Sequence, residues 1–144
     1  MTELFLKYKK QIIRIEGKGA LDNIQLDKIG KQLLGKKYIG TFAQDELPSR
    51  SGYMIVNVDT SKKINTPDAH WVAIYQTPKI LYIYDSYGRL TKNVLKIISK
   101  TTTKKIVDSK HDPEQYGHMN ICGHLAMSFL CVAHDLGIRK ALTI

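Results

Sequence analysis

Cysteine is nearly absent from this sequence, which contains only Cys122 and Cys131. On one expected helix, at about 100° per residue, the two thiols face nearly opposite directions, so no disulfide joins them. Free thiols suit a reducing compartment. Long apolar runs are also missing. None approaches the roughly 20 residues that a membrane span requires. The opening Met1-Thr2-Glu3-Leu4-Phe5-Leu6-Lys7 has neither the apolar stretch nor the cleavage site of a secretory signal. Together these absences point to work inside a cell or a particle, not to secretion. Repeats, low-complexity tracts, linkers, zinc-finger spacing and aromatic RNA-binding motifs are all absent. Acidic residues are few: 13 stand against 22 basic ones, for a net charge of +9. The lysines are dispersed, with pairs at Lys9-Lys10, Lys36-Lys37, Lys62-Lys63 and Lys104-Lys105. Such a surface either is simply solvated or attracts a polyanion such as DNA without reading its sequence.

A length of 144 residues predicts one domain spanning 1–144, large enough for its own core. The first 20 residues are mixed, and Gln11-Ile12-Ile13-Arg14-Ile15 reads as a short strand. Asp22 caps a predicted helix carrying Ile24, Ile29, Leu33 and Leu34, which stops at Gly35. Gly40-Thr41-Phe42 opens a polar loop that runs to Gly52. Three strands follow: Tyr53–Val58, then His70–Tyr75 and Ile80–Asp85 joined as a hairpin through Thr77-Pro78-Lys79. Thr91 caps a helix bearing Val94, Leu95 and Ile98. Lys104–Val107 is a further strand, and an apolar helix begins at Cys122-Gly123 and ends at Gly137. The predicted class is α+β, with a mainly antiparallel sheet packed on a central helix.

The chemistry gathers at the start of that last helix. A thiol there faces the positive end of the helix dipole, which favours thiolate over thiol. A cysteine nucleophile needs a base, and imidazole suits that role near neutral pH. Of the five histidines, His111 and His118 lie in a polar loop. His124 points about 200° away from Cys122, and His134 is more than three turns further down the helix. His70, at the start of an apolar strand beside Trp71, is the best base. Asp85 ends the neighbouring hairpin strand, so the two should meet at one sheet edge, the acid orienting the imidazole. An oxyanion needs donors. The Cys122 backbone N–H is one, and the Gln115 side-chain amide is a second if the loop containing Gly117 folds back. Gly123 either lets a substrate backbone approach or eases the turn. Cys131, between Leu130 and Val132, reads as core.

Three blocks, His70-Trp71, Tyr82-Ile83-Tyr84-Asp85-Ser86-Tyr87-Gly88, and Gln115 ahead of Cys122-Gly123, resemble the adenovirus maturation proteases (the adenain family) and their cellular relatives, the Ulp-type ubiquitin-like-protein proteases. Gly40-Thr41-Phe42 and Ile55-Val56-Asn57 resemble the adenain branch in particular, so the similarity covers about residues 38 to 135. The resemblance implies a papain-like, adenain-like fold with a Cys-His-Asp triad. His70 would be the base, Asp85 the acid, Gln115 the oxyanion donor and Cys122 the nucleophile. Trp71, Gln115, Cys122 and Gly123 would line the substrate and oxyanion site. It implies an endopeptidase that trims capsid or other virion precursors, in a virophage or related DNA virus, acting within the virion and the host cell interior. No metal or organic cofactor would be needed, with DNA as an activator. The chain departs from the family at Asp85, where adenain has Glu, and at Ile121 and His124, which flank the Cys-Gly pair. It is also shorter than typical members, which predicts that insertions recognising ubiquitin-like folds are missing. Two other readings stay open at this stage: a Ulp-like isopeptidase, and an inactive protease-like scaffold that binds nucleic acid.

Overall fold

A computed structural model describes residues 2–58, 70–86, 92–109 and 121–144 of the chain. The N-terminal segment is a helix, α1 (Thr2–Glu16), where a short strand at 11–15 was expected. The β-branched Ile12, Ile13 and Ile15 favour a strand locally, but Phe5, Tyr8 and Ile12 recur at helical spacing. Packing of that stripe against the C-terminal helix overrides the local preference, and Phe5 and Ile12 are buried. Glu3 in the first turn and Arg14 in the last complement the helix dipole.

The second helix, α2 (Asn23–Leu34), starts as expected. Asp22 Oδ1 accepts from Gln25 N at 2.8 Å while Gln25 Oε1 accepts from Asp22 N at 3.0 Å, a reciprocal capping box. Its buried face is Leu26, Ile29, Gly30 and Leu34. Ile24, expected on that face, is 71% exposed, because it lies on the opposite side of the helix from Leu26.

The segment from Gly40 is not a loop but part of a strand, β1 (Tyr38–Ala43). Gly40 has φ +150°, and the pairing register slips between Tyr38 and Gly40. The glycine therefore marks a β-bulge, and the polar loop begins only after Ala43. The remaining strands are β2 (Gly52–Asn57), β3 (Trp71–Gln76), β4 (Ile80–Tyr84) and β5 (Lys105–Asp108), in the spatial order β1-β2-β3-β4-β5.

That sheet is mixed, which corrects the mainly antiparallel expectation. β2, β3 and β4 are antiparallel neighbours, whereas β1 with β2 and β4 with β5 run parallel. The eight residues 44–51 return the chain from the end of β1 to the start of β2, and the β4–β5 connection is longer. For β4 and β5 that connection includes a helix, α3 (Lys92–Ser99). Thr91, the expected cap of that helix, lies outside the described residues.

Side-chain alternation along the strands splits the core in two. Ile55, Trp71, Ala73 and Tyr84 face α1, α2 and the long helix α4 (Cys122–Leu136). Met54, Val56, Val72, Ile74, Leu81 and Ile83 face the other way, with Ile98 of α3 packed on them. Every residue of α4 from Cys122 to Ala133 is buried. A helix apolar on all sides belongs in a core, and α4 sits between α1, α2 and the sheet. Phe129 stacks on Tyr84 with ring centroids 4.6 Å apart, fixing the helix over β4. Gly137 (φ +93°) closes α4, and one short turn, α5 (Ile138–Ala141), follows where only a tail was expected. Among the described residues, no helix is long and apolar enough to cross a membrane.

Candidate active site

His70 immediately precedes β3, and its carbonyl accepts a hydrogen bond from Val58 N at 3.1 Å, which fixes its backbone against the end of β2. Asp85 immediately follows β4. The β3–β4 register pairs Ala73 with Tyr84, so the start of one strand lies beside the end of the other. The turn between them sets that register: Thr77 N donates to Ile80 O at 2.8 Å, and Ile80 N donates to Thr77 Oγ1 at 3.0 Å. The result is direct contact between His70 Nε2 and Asp85 Oδ1 at 2.9 Å. The meeting point differs from the expected sheet edge. β3 and β4 are interior strands, so the pair sits at one end of the sheet, flanked on both sides. Asp85 is 1% exposed, and the His70 side chain 20%.

Cys122 is the first residue of α4 and is 9% exposed. Ile121 before it has non-helical dihedrals (φ −117°, ψ 19°) and a side chain that cannot cap, while its carbonyl accepts the first intrahelical bond from Leu125 N at 3.0 Å. The N–H groups of the first turn are thus directed out of the helix end, beside the thiol, where the helix dipole is positive. His70 hydrogen-bonds the Cys122 side chain as well as Asp85. With Nε2 held by the carboxylate, Nδ1 is the ring nitrogen left to face the thiol. Burial disfavours the charged ring, but the hydrogen bonds it donates to Asp85 and Cys122 and their negative charge outweigh it, raising the His70 pKa from 6.5 to about 9. His70, Asp85 and Cys122, brought from three separate elements, therefore form one hydrogen-bonded chain.

The other expected site residues fare differently. Gln115 lies outside the described residues, as do Gly117, His111 and His118. Trp71 is turned into the core: it is 1% exposed, and its indole N–H donates to Leu21 O at 2.9 Å. Its ring therefore offers no surface to a substrate, and it braces the site from beneath. Gly123 also faces inward. A Cβ built there would lie 3.3 Å from Leu26 Cδ2, 3.4 Å from Leu21 Cβ and 3.5 Å from Trp71 Cδ1. The missing side chain lets α4 approach Leu26 of α2 and the α1–α2 connection.

Cys131 is buried among apolar neighbours, as expected, and burial followed by the nearby Asp135 charge pushes its thiol up to about 12. Neither cysteine is in a disulfide. His134 is at the exposed end of α4 beside Asp135. His124, set aside in the sequence because it points away from Cys122, is fully buried, with Nε2 2.8 Å from Gly17 O. No sequence signal could have found that contact, because its partner is 107 residues away. Among the described residues, no group of three or more His, Cys, Asp or Glu side chains could hold a metal ion. In comparisons with known proteins, no family model and no curated protein matches the chain.

Proposed function

We propose that this protein is a cysteine endopeptidase with a papain-like, adenain-like architecture, cleaving capsid or other virion precursor proteins during particle maturation. The observation that carries the reading is the chain from Asp85 through His70 to Cys122 at the start of a buried helix. In this reading His70 already holds the thiol proton near neutral pH, because its pKa is raised to about 9, and the Cys122 thiolate attacks the scissile carbonyl. The tetrahedral oxyanion is held by the Cys122 N–H and the Gln115 amide. His70 then delivers the proton to the leaving amine, and a water deprotonated by His70 releases the acyl group. Asp85 keeps Nδ1 aimed at the sulfur and stabilises the imidazolium. The net charge of +9 supports DNA as an activating polyanion. The setting is the virion and the infected cell's interior.

A second reading, a Ulp-like isopeptidase acting on a ubiquitin-like modifier, is favoured by one feature: the acid is Asp85, as in that branch, and not Glu. Both readings are tested by co-expressing the wild type and Cys122→Ala with neighbouring capsid genes and measuring the capsid termini by mass spectrometry. Trimming by the wild type alone is the expected result. Identical termini with both proteins, with DNA supplied, would refute the maturation role. Cleavage of a Gly-Gly-linked modifier in place of capsid would select the second reading.

A further inference from the structure

Two ring N–H donors converge on the short connection between α1 and α2. Trp71 Nε1 donates to Leu21 O at 2.9 Å, and His124 Nε2 lies 2.8 Å from Gly17 O. A carbonyl can only accept, so His124 carries its hydrogen on Nε2. Trp71 directly follows the base His70, and His124 stands two residues after the nucleophile Cys122. Gly123 completes the contact, packed against Leu21 and Trp71. The start of β3 and the first turn of α4 are therefore tied to the same five-residue segment, 17–21.

Packing alone does not explain an imidazole at position 124. The residue is fully buried, and its Nδ1 has no hydrogen-bond partner. An apolar side chain of similar size would fill the space without leaving a buried nitrogen unsatisfied. What the imidazole adds is the donor to Gly17.

We propose that His124 is a positioning residue which, by donating to the Gly17 carbonyl, pins the first turn of α4 to the segment that also holds the start of β3, and so sets the separation of Cys122 from His70. This rests on the peptidase reading above. The groups facing the ring are Lys9 and Glu16 of α1, and Glu16 is itself held by Lys28 and Gln25 of α2. Burial, reinforced by the Lys9 charge and opposed by the Gly17 bond and Glu16, lowers the His124 pKa, so the ring stays neutral and its tautomer stays locked.

The test is site-resolved alkylation of Cys122 with iodoacetamide at near-neutral pH, followed by mass spectrometry, on the full chain. His124→Phe keeps a flat ring, somewhat larger than imidazole, and loses the donor; it should slow Cys122 labelling about tenfold in folded protein while Cys131 stays unlabelled. His124→Gln carries an amide N–H in a comparable place and should restore most of the rate. If His124→Phe does not fold, His124→Asn, whose amide falls short of Gly17, provides the same comparison. Wild-type labelling rates in folded His124→Phe or His124→Asn would overturn the proposal, as would a His124→Gln protein no faster than these. His70→Ala separates the two levels of argument. If it slows labelling and the His124 variants do not, the positioning role alone fails; if it has no effect, the His70–Cys122 pairing fails and the positioning role with it.

Discussion

His70 should behave as a stabilising cation, and the size of that effect follows from its surroundings. Its pKa rises from 6.5 to about 9 in the folded protein, with Asp85 2.9 Å away. At about 1.4 kcal/mol per tenfold change in proton affinity, with the ring largely shielded from solvent, this amounts to about 3 kcal/mol. The sign is set by the direction of the shift. The folded state binds the proton more tightly, so the stabilisation is complete below pH 6.5 and disappears as pH rises through about 9. Urea unfolding of the wild type and His70→Gln from pH 6 to pH 10 isolates the contribution. With a urea slope of roughly 1.5 kcal/mol per molar, the wild-type midpoint should exceed the variant's by about 2 M at the acid end, and the gap should close above pH 9. Titration of the His70 ring proton by NMR gives the value directly. In Asp85→Asn it should fall well below 9, because burial remains while the largest compensating group is gone and only Cys122 still opposes it. A wild-type His70 titrating at or below 6.5, or a midpoint gap that does not change with pH, would refute the reasoning.

Two further outcomes test the packing around the site. Gly30→Ala should destabilise the protein by about 2–3 kcal/mol despite the better helix propensity of alanine, since a Cβ there would run into the buried Tyr38 ring; thermal unfolding measures this directly. Cys131, buried and with its thiol pushed up to about 12, should resist alkylation at pH 8 until the protein unfolds, which intact-mass analysis under native and denaturing conditions would show.

The sequence alone determined what local chemistry controls. Asp22 is a capping residue ahead of a helical apolar pattern, so the start of α2 was readable from it, and the structure adds Gln25 as its reciprocal partner. The β3–β4 hairpin was likewise readable from its turn residues, and the hairpin put His70 beside Asp85. The apolar run after Cys122 gave the buried helix and placed the thiol at its start. Tertiary structure decided what depends on distant partners. Ile12, Ile13 and Ile15 favour a strand by themselves and become helical because α1 has α4 to pack on. Gly40 reads as a loop opener until β2 supplies the partner that makes it a bulge. The directions of the outer strand pairs depend on the path of the connections, which hydrophobic alternation does not encode. Gly123 and Trp71 looked like substrate contacts beside a nucleophile and a base. They turn inward because Leu21, Leu26 and the Leu21 carbonyl, from a segment about a hundred residues before the nucleophile, close over them. Short-range hydrogen bonds and periodicity are written in neighbouring residues, whereas the direction a side chain faces is settled by whatever the rest of the chain brings against it.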